Sequence, residues 1–543
     1  MTRRTEGADT DATDPEATAD GGSEEATENA PVRTPQELPD GFQVQLDLGT
    51  VVNPATRRHF LGGSPIRLLT LSPAAVDMID TDGRLVVSGP SSATLGRRLL
   101  DAGVAHPRPM FGPDTGDVTV VIPVRDNQSG VDRLLAALVG VRVVVVDDGS
   151  ATPVVVGDAG RGGDVELLRL DHSVGPAAAR NHGARRVETD LIAFVDSDVV
   201  PESGWLFKLL AHFSDDRVAM VAPRIVAMTP DGGPMARYEA LCSSLDMGRR
   251  ESAVAPGTRV PYVPSAAIIV RRSVFREVST GGFDESLHVA EDVDLCWRIT
   301  SAGWVIRYDP IAVAAHDHRD RLGPALRRRR FYGTGAALLS DRHPTLAAPI
   351  VMTVPMAVAA LGVLTRSRWG LGLLVAMIAI IGRRLHGRVS HVPDAFSVAA
   401  KLTAQSMGFG FLQFASALCR HYWPLSVVLA VFSARFRQVL LAVALADGLV
   451  EWVRSEMLNP DPVQRLGVAR FVILKRLDDL AYGAGLWEGV LAARAAGALR
   501  PVIGSVHAAE RHATSGRIAE RHATSGRIAE RRAVVEGAAP SHS

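Results

Sequence analysis

The spacing of apolar residues changes character along the chain, and each change predicts a different kind of structure. Between residues 42 and 112 they come in short runs, Phe42–Leu46, Pro65–Leu71, Arg84–Val87 and Leu95–Leu100, bounded by Gly and Pro. That punctuation predicts a small α+β module. From 115 to 340 the runs become β-branched: Val118–Ile122, Val141–Val146 and Leu191–Val195 each end on polar residues, and a helical pattern covers 177–187. Strands alternating with helices predict an α/β domain on a largely parallel sheet. Ligands of such sheets gather at the carboxyl ends of the strands, where Asp147, Asp148, Asp196 and Asp198 fall.

Beyond residue 344 the pattern shifts again, to an apolar helical region that extends to about residue 500 and is expected to associate with a membrane. Leu346–Leu364 is nineteen residues without a charge, enough to cross most of a ~30 Å hydrocarbon core. Trp369–Gly382 is uncharged over fourteen residues, which predicts a re-entrant or interfacial helix. Trp423–Ala446 is interrupted by Arg435 and Arg437 and reads as amphipathic, because mid-membrane arginine is costly. Basic residues flank the first stretch on both sides, so charge does not orient it.

Charge and composition narrow the picture. The 59 basic and 59 acidic side chains balance, which leaves no electrostatic footprint for a nucleic acid. The first forty residues hold eleven acids against three arginines and few large apolar groups, so 1–41 reads as a disordered tail. Nothing in it resembles a secretory signal, and the three cysteines have no metal or disulfide spacing; both features predict the cytoplasmic side of a membrane. Residues 501–543, where the decapeptide Glu510–Ala519 recurs as Glu520–Ala529, read as a second disordered tail.

The strand-end acids suit the handling of a phosphorylated ligand. Asp147 and Asp148 could accept hydrogen bonds from a base or ribose, although Asp-Asp-Gly-Ser is equally a turn and cap sequence. Asp196 and Asp198, one residue apart, could approach a hard cation such as Mg²⁺ or Mn²⁺. Glu291 and Asp292 open a helical pattern, where they could cap the helix or remove a proton from a hydroxyl. His316 could complete a metal shell.

Six ordered segments carry a family resemblance: Val121-Ile-Pro-Val-Arg-Asp-Asn127, Val146-Asp-Asp-Gly-Ser150, Gly175–Gly183, Phe194-Val-Asp-Ser-Asp198, Gly282-Phe-Asp-Glu285 and Glu291–Arg298. Together they resemble family 2 glycosyltransferases of the GT-A fold. The resemblance implies an inverting displacement on a UDP-sugar with a divalent cation. By position it implies Asp292 as base and Glu291 as orienter of the acceptor. Pro123, Asp147, Asp148, Arg180, Asn181 and Asp196 would hold the donor, and Asp198 with His316 the metal. Arg327-Arg-Arg-Arg330-Phe331 is similar to the Gln/Arg-x-x-Arg-Trp motif of processive members, with Phe in place of Trp; Arg327, Arg330 and Phe331 would then face acceptor or diphosphate. The same run could equally be a membrane-surface patch.

The small first module, carrying Leu61–Leu69 and ending Leu100–Pro109, the GT-A domain and the apolar tail together resemble the mycofactocin-system glycosyltransferases of actinobacteria. That resemblance implies a PqqD-like peptide-binding module and transfer of glucose from UDP-glucose to a peptide-derived redox cofactor, premycofactocin, as a β-linked oligoglucoside. Two alternatives stay open on the residues: a transferase acting on lipid-linked or cell-wall saccharides, and an inactive membrane-bound scaffold.

Overall fold

The computed structural model describes residues 37–53, 57–157, 164–278, 281–390, 392, 394–458 and 465–504. Most of the expected acidic tail, residues 1–36, and both decapeptide copies lie outside the described residues.

β-Branched side chains restrict the backbone toward extended conformations, and runs buried on both sheet faces need no polar alternation. Val118–Val124 (β1) follows this rule with all seven residues buried. Arg142–Asp147 (β2), Val165–Arg169 (β3) and Leu191–Val195 (β4) join it in parallel, in the order β3-β2-β1-β4. Val199–Pro201 (β5), Val218–Ala227 (β6), Ser252–Val254 (β7), Ala267–Arg271 (β8) and Val305–His316 (β9) complete a nine-stranded sheet. The expectation of a largely parallel sheet therefore holds for one half. On the other side β8 runs antiparallel to both β4 and β6, while β6 and β9 pair in parallel.

Alternate residues feed two cores. Val120, Ile122, Val143 and Val145 pack on one face, while Val121, Val144, Val146 and Phe194 pack on the other. Phe194, Phe275 and Phe283 stack at 5.2–5.6 Å beneath the carboxyl ends of the strands. Truncating Phe194 to alanine would cost about 3–5 kcal/mol.

The helices that matter for the site are Pro176–Arg186 (α1), Pro234–Cys242 (α2), Glu291–Ser301 (α3) and Leu322–Arg342 (α4). Preceding them, residues 37–108 form an α+β unit of two three-stranded antiparallel sheets with its own core around Phe42, Val44 and Leu99. Arg97 forks onto Asp215 at 2.7 and 2.9 Å, and Arg108 pairs with Glu251, tying this unit to the large sheet.

The apolar region differs from its expected segmentation. Leu346–Leu364 is not one helix. Ile350 precedes a two-residue strand, Val351–Met352, and helix α5 runs only over Val354–Thr365, starting where Pro355 fits a first helical turn. α6 spans Arg368–Val389, eight residues longer than its uncharged stretch, because Arg383, Arg384 and Arg388 sit in its last turns, where long cations reach outward. Ala395–Ser416 (α7) leads through a π-helical turn, Ala417–His421, into Trp423–Phe432 (α8). The stretch expected as one amphipathic helix breaks at Ser433, and α9 covers Ala434–Leu458. Val468–Ala493 (α10) returns to pack along α4. Their contact is tight. A Cβ on Gly485 would overlap the Arg330 carbonyl, so only glycine permits this approach. Val502–Ile503 then pairs with Val351–Met352, so structure continues past residue 500.

Candidate active site

β2 ends on adjacent aspartates whose side chains diverge, as successive residues of a strand must. Asp147 is fully buried, accepts from the Ser150 and Val154 amides at 2.9 and 3.1 Å, and pairs with Arg169. Burial raises its pKa, but these hydrogen bonds outweigh that and hold it below the ordinary carboxylate value. It is a turn-holding group outside the cavity, which corrects its expected donor role. Asp148 points the other way, into a cavity of about 740 Å³ over the strand ends. Its oxygens accept from Ser173 Oγ and from the Val174 and Gly175 amides at 2.7–3.1 Å, fixing the loop that leads into α1. Gly149 makes the turn at φ +64°, and a Cβ there would meet the His172 backbone at 2.7 Å.

α1 supplies Arg180, buried and bridging two acids. It donates to Asp196 at 2.6 Å and to Glu291 at 3.0 Å, and its guanidinium lies 5.3 Å from the Phe283 ring centroid. Burial would lower its pKa; the two carboxylates more than offset that and keep it cationic. Asn181, the next residue, turns away from the cavity. It donates to the Phe283 carbonyl at 2.8 Å and accepts from the Phe283 amide at 3.0 Å. Its expected donor-binding role is thus replaced by the stapling of the loop 282–285. Pro123, at the end of β1, lines the cavity as expected.

α3 begins at Glu291 after Ala290, which adopts a left-handed φ of +65°. That bend turns Asp292 into the cavity, where one oxygen accepts from the Ser265 amide at 3.3 Å and the other from Val293 at 2.8 Å. Burial, reinforced by the neighbouring Glu291 charge, pushes the Asp292 carboxyl up to about 7. Asp198 and His316 meet because β5 pairs antiparallel with β9, setting His316 opposite Val199. The His316 Nε2 and Asp198 Oδ2 atoms are 3.5 Å apart, and His316 Nδ1 is buried without a hydrogen-bond partner. Burial and the Asp196 charge raise Asp198 to about 6, and burial lowers His316 to about 4, keeping the imidazole neutral as a metal ligand must be. Among the described residues no three metal-type side chains gather into one cluster. These two therefore fit a cation that also takes oxygens from a phosphorylated ligand and water.

The arginine run corrects a third expectation. On α4, Arg330 faces outward to Glu488 at 2.9 Å, and Arg327 lies outside the main cavity, in a shallow surface cavity whose wall it shares with Arg328 and Phe331. The two between them, Arg328 and Arg329, line the main cavity with Phe331 and Tyr332. Arg329 is buried against Glu239 and Asp478, whereas the Arg328 guanidinium lies 4.8 Å from the Tyr332 ring centroid. Burial lowers the Arg328 pKa, and Tyr332, Asp196 and Asp198 together more than reverse it. A helix advances about 100° per residue, so a motif aligned by spacing alone can miss the facing side chain by one position.

Residues 119–279 match the family model for glycosyl transferase family 2. The chain is also 50% identical over 473 residues to the pre-mycofactocin glycosyltransferase of Mycobacterium tuberculosis, covering 87% of this chain and 99% of that relative. The chain belongs to the pre-mycofactocin glycosyltransferase family. It is an enzyme of the family 2 type, and Asp148, Asp196, Asp198, Glu291 and Asp292 line its cavity of about 740 Å³. A more distant relative, glycosyltransferase AglE of Haloferax volcanii, is 28% identical over 229 residues, 40% of this chain and 72% of AglE. S. aureus TarS 1-349 is 17% identical with a TM-score of 0.31, covering 53% of this chain and 91% of that one. At that score the likeness says nothing about individual side chains. Two wall-forming groups of the glycosyltransferase had no motif to announce them: Arg328, hidden inside an arginine run, and Arg420, the single charged residue between Lys401 and Arg435.

Proposed function

We propose that the enzyme transfers glucose from UDP-glucose to pre-mycofactocin with inversion, extending it as a β-linked oligoglucoside. The observation that carries this reading is the convergence of Asp148, Arg180, Asp196, Asp198, Asp292 and His316 on one cavity. The acceptor is that named for the M. tuberculosis relative, and near-complete coverage of that relative supports carrying it over.

In this reading Asp148 and Pro123 bound the nucleotide end, and Asp196, steadied by Arg180, faces the ribose. Asp198 and His316 would hold a divalent cation, which when bound offsets the charge growing on the departing diphosphate. Arg328 is the protein's own cation toward that charge. Asp292, whose carboxyl is raised to about 7, takes the proton of the attacking hydroxyl, and Glu291 is fixed against Arg180. The wall of backbone and aromatic groups around Tyr262 and Trp297 limits water at the reacting centre.

The first module would act as a PqqD-like peptide holder, supported by its separate core and its arginine ties to the catalytic sheet. We further place the enzyme on the cytoplasmic face of the membrane, supported by α6 and by the cytosolic origin expected for a nucleotide-sugar donor.

Purified enzyme given UDP-glucose, Mg²⁺ or Mn²⁺ and pre-mycofactocin should release UDP and add hexose masses to the acceptor, with Asp198→Ala and Asp292→Asn both strongly impaired. UDP release with a lipid-linked saccharide but not with pre-mycofactocin would replace this acceptor with the other. No turnover of any donor would leave the scaffold reading standing.

A further inference from the structure

The π-helical turn Ala417–His421 joins α7 to α8, which diverge there by 87°. Such turns give up regular hydrogen bonding and are found frequently at functional sites. Arg420 and His421, its last residues, line the main cavity together with Tyr482 of α10. The surrounding chain is apolar, so a charged residue at this break needs a reason.

Arg420 is held but not satisfied. Its guanidinium lies 3.9 Å from the Tyr482 ring centroid and meets Asp478 and Asp479 at 3.5 and 3.6 Å. Among the described residues it donates no hydrogen bond, although a guanidinium carries five donors. His421 Nδ1 is buried and also has no partner. The Arg420 side chain is 28% exposed, so its spare donors are open to the cavity, while the orphaned His421 nitrogen beside it is costly unless a ligand supplies a partner.

Their place along the cavity identifies which ligand. Arg420, His421 and Tyr482 share the cavity wall with Asp292 and with Ser265, whose amide Asp292 accepts from, whereas Pro123 and Asp148 sit at the ends of the parallel strands.

We propose that Arg420 and His421, backed by Tyr482, form an acceptor subsite that takes a carbonyl or carboxylate oxygen of the molecule being glycosylated. This rests on the glycosyl-transfer reading and on Asp292 as base. A planar guanidinium stacked on a ring offers paired donors in a fixed plane, which suits such an oxygen better than a flexible ammonium would. The apolar C-terminal helices thereby contribute to the catalytic cavity, closing its acceptor end.

The test uses full-length enzyme with Arg420→Gln, Arg420→Lys and Tyr482→Leu, measuring KM for pre-mycofactocin, KM for UDP-glucose, and UDP release without acceptor. Arg420→Gln is expected to raise acceptor KM about tenfold to a hundredfold, the size of a lost charged hydrogen bond. Donor KM and acceptor-free UDP release should move less than about twofold, which also keeps the donor reading separately visible. Arg420→Lys preserves the charge beside Asp478 and Asp479 and should still raise acceptor KM; it decides the matter if the glutamine variant does not fold. An increase in donor KM would assign the guanidinium to the donor diphosphate and overturn the proposal. An unchanged acceptor KM in folded Arg420→Lys and Tyr482→Leu would overturn it as well.

Discussion

Asp292 shows how one side chain can be tuned at the expense of stability. Its carboxyl is raised to about 7 because burial and the Glu291 charge both oppose ionisation. The base must be ionised to work, so kcat/KM should climb with pH up to a plateau above about 7. Asp292→Asn should reduce kcat about 10²- to 10⁴-fold and abolish that limb of the profile. The stability sign is opposite. A folded-state pKa above the unfolded value means that stability present at low pH is lost as pH rises through 7, so Asp292→Asn should raise the melting temperature at pH 8 and not at pH 4. A variant with the wild-type pH limb intact would remove Asp292 from the base role. Asn181 makes the contrasting case, since its amide staples Phe283 rather than facing a ligand. Asn181→Ala should cost about 1–3 kcal/mol in chemical denaturation while donor KM changes less than threefold. Sequence spacing located Arg180 and Asn181 together but could not separate their roles, because adjacent positions on a helix share a motif while facing different directions. Asp147 and Asp148 repeat that lesson on a strand, where alternation alone decides which carboxylate meets the cavity.

At the scale of elements, what was legible depended on whether the signal was local. Val118–Val124, Leu191–Val195 and the helix at 176–186 were readable because β-branched runs and helical periodicity are written within a few residues. The antiparallel course of β8, and the pairing of β5 with β9 that brings His316 to Asp198, were not, since strand order is set by contacts distant in sequence. The apolar region was misdivided for a related reason: absence of charge marks burial or lipid, but helix ends follow Pro355, Ser433 and the π-turn. Helix phase also decides which arginine matters. Arg328→Gln should raise donor KM at least about tenfold, because Arg328 shares the cavity with Asp196 and Asp198, whereas Arg327→Gln should leave donor KM within about twofold. Initial rates at varied UDP-glucose compare the two directly. Equal effects would show that the run acts as a diffuse charge patch and that helix phase is irrelevant.

The whole molecule joins a catalytic sheet to a surface that water does not favour. α6 spans 22 residues, about 33 Å of helix, and is long and apolar enough to cross a bilayer. Its most apolar window is only 6% buried inside the molecule, and Trp369, Leu371, Leu373 and Val375 stand exposed along it. Spaced by two along the helix, they lie on opposite sides of it, so α6 is apolar and exposed around its circumference, which favours an apolar surrounding over water. Arg366 and Arg368 border one end and Arg383, Arg384 and Arg388 the other, where each cation can gain roughly 1 kcal/mol near anionic headgroups. Other parts of the same apolar region, the π-turn with Arg420 and helix α10 with Tyr482, reach the cavity wall. Cells expressing the full chain should therefore retain it in the membrane pellet through a carbonate wash, which strips proteins held by charge alone. Leu373→Lys with Ile378→Lys places two ammonium groups in the middle of α6 at several kcal/mol of insertion cost, and should shift the enzyme toward the carbonate-soluble fraction. Release of the wild-type chain by carbonate would exclude a crossing helix and leave surface attachment, whereas release by salt alone would assign the attachment to the arginines.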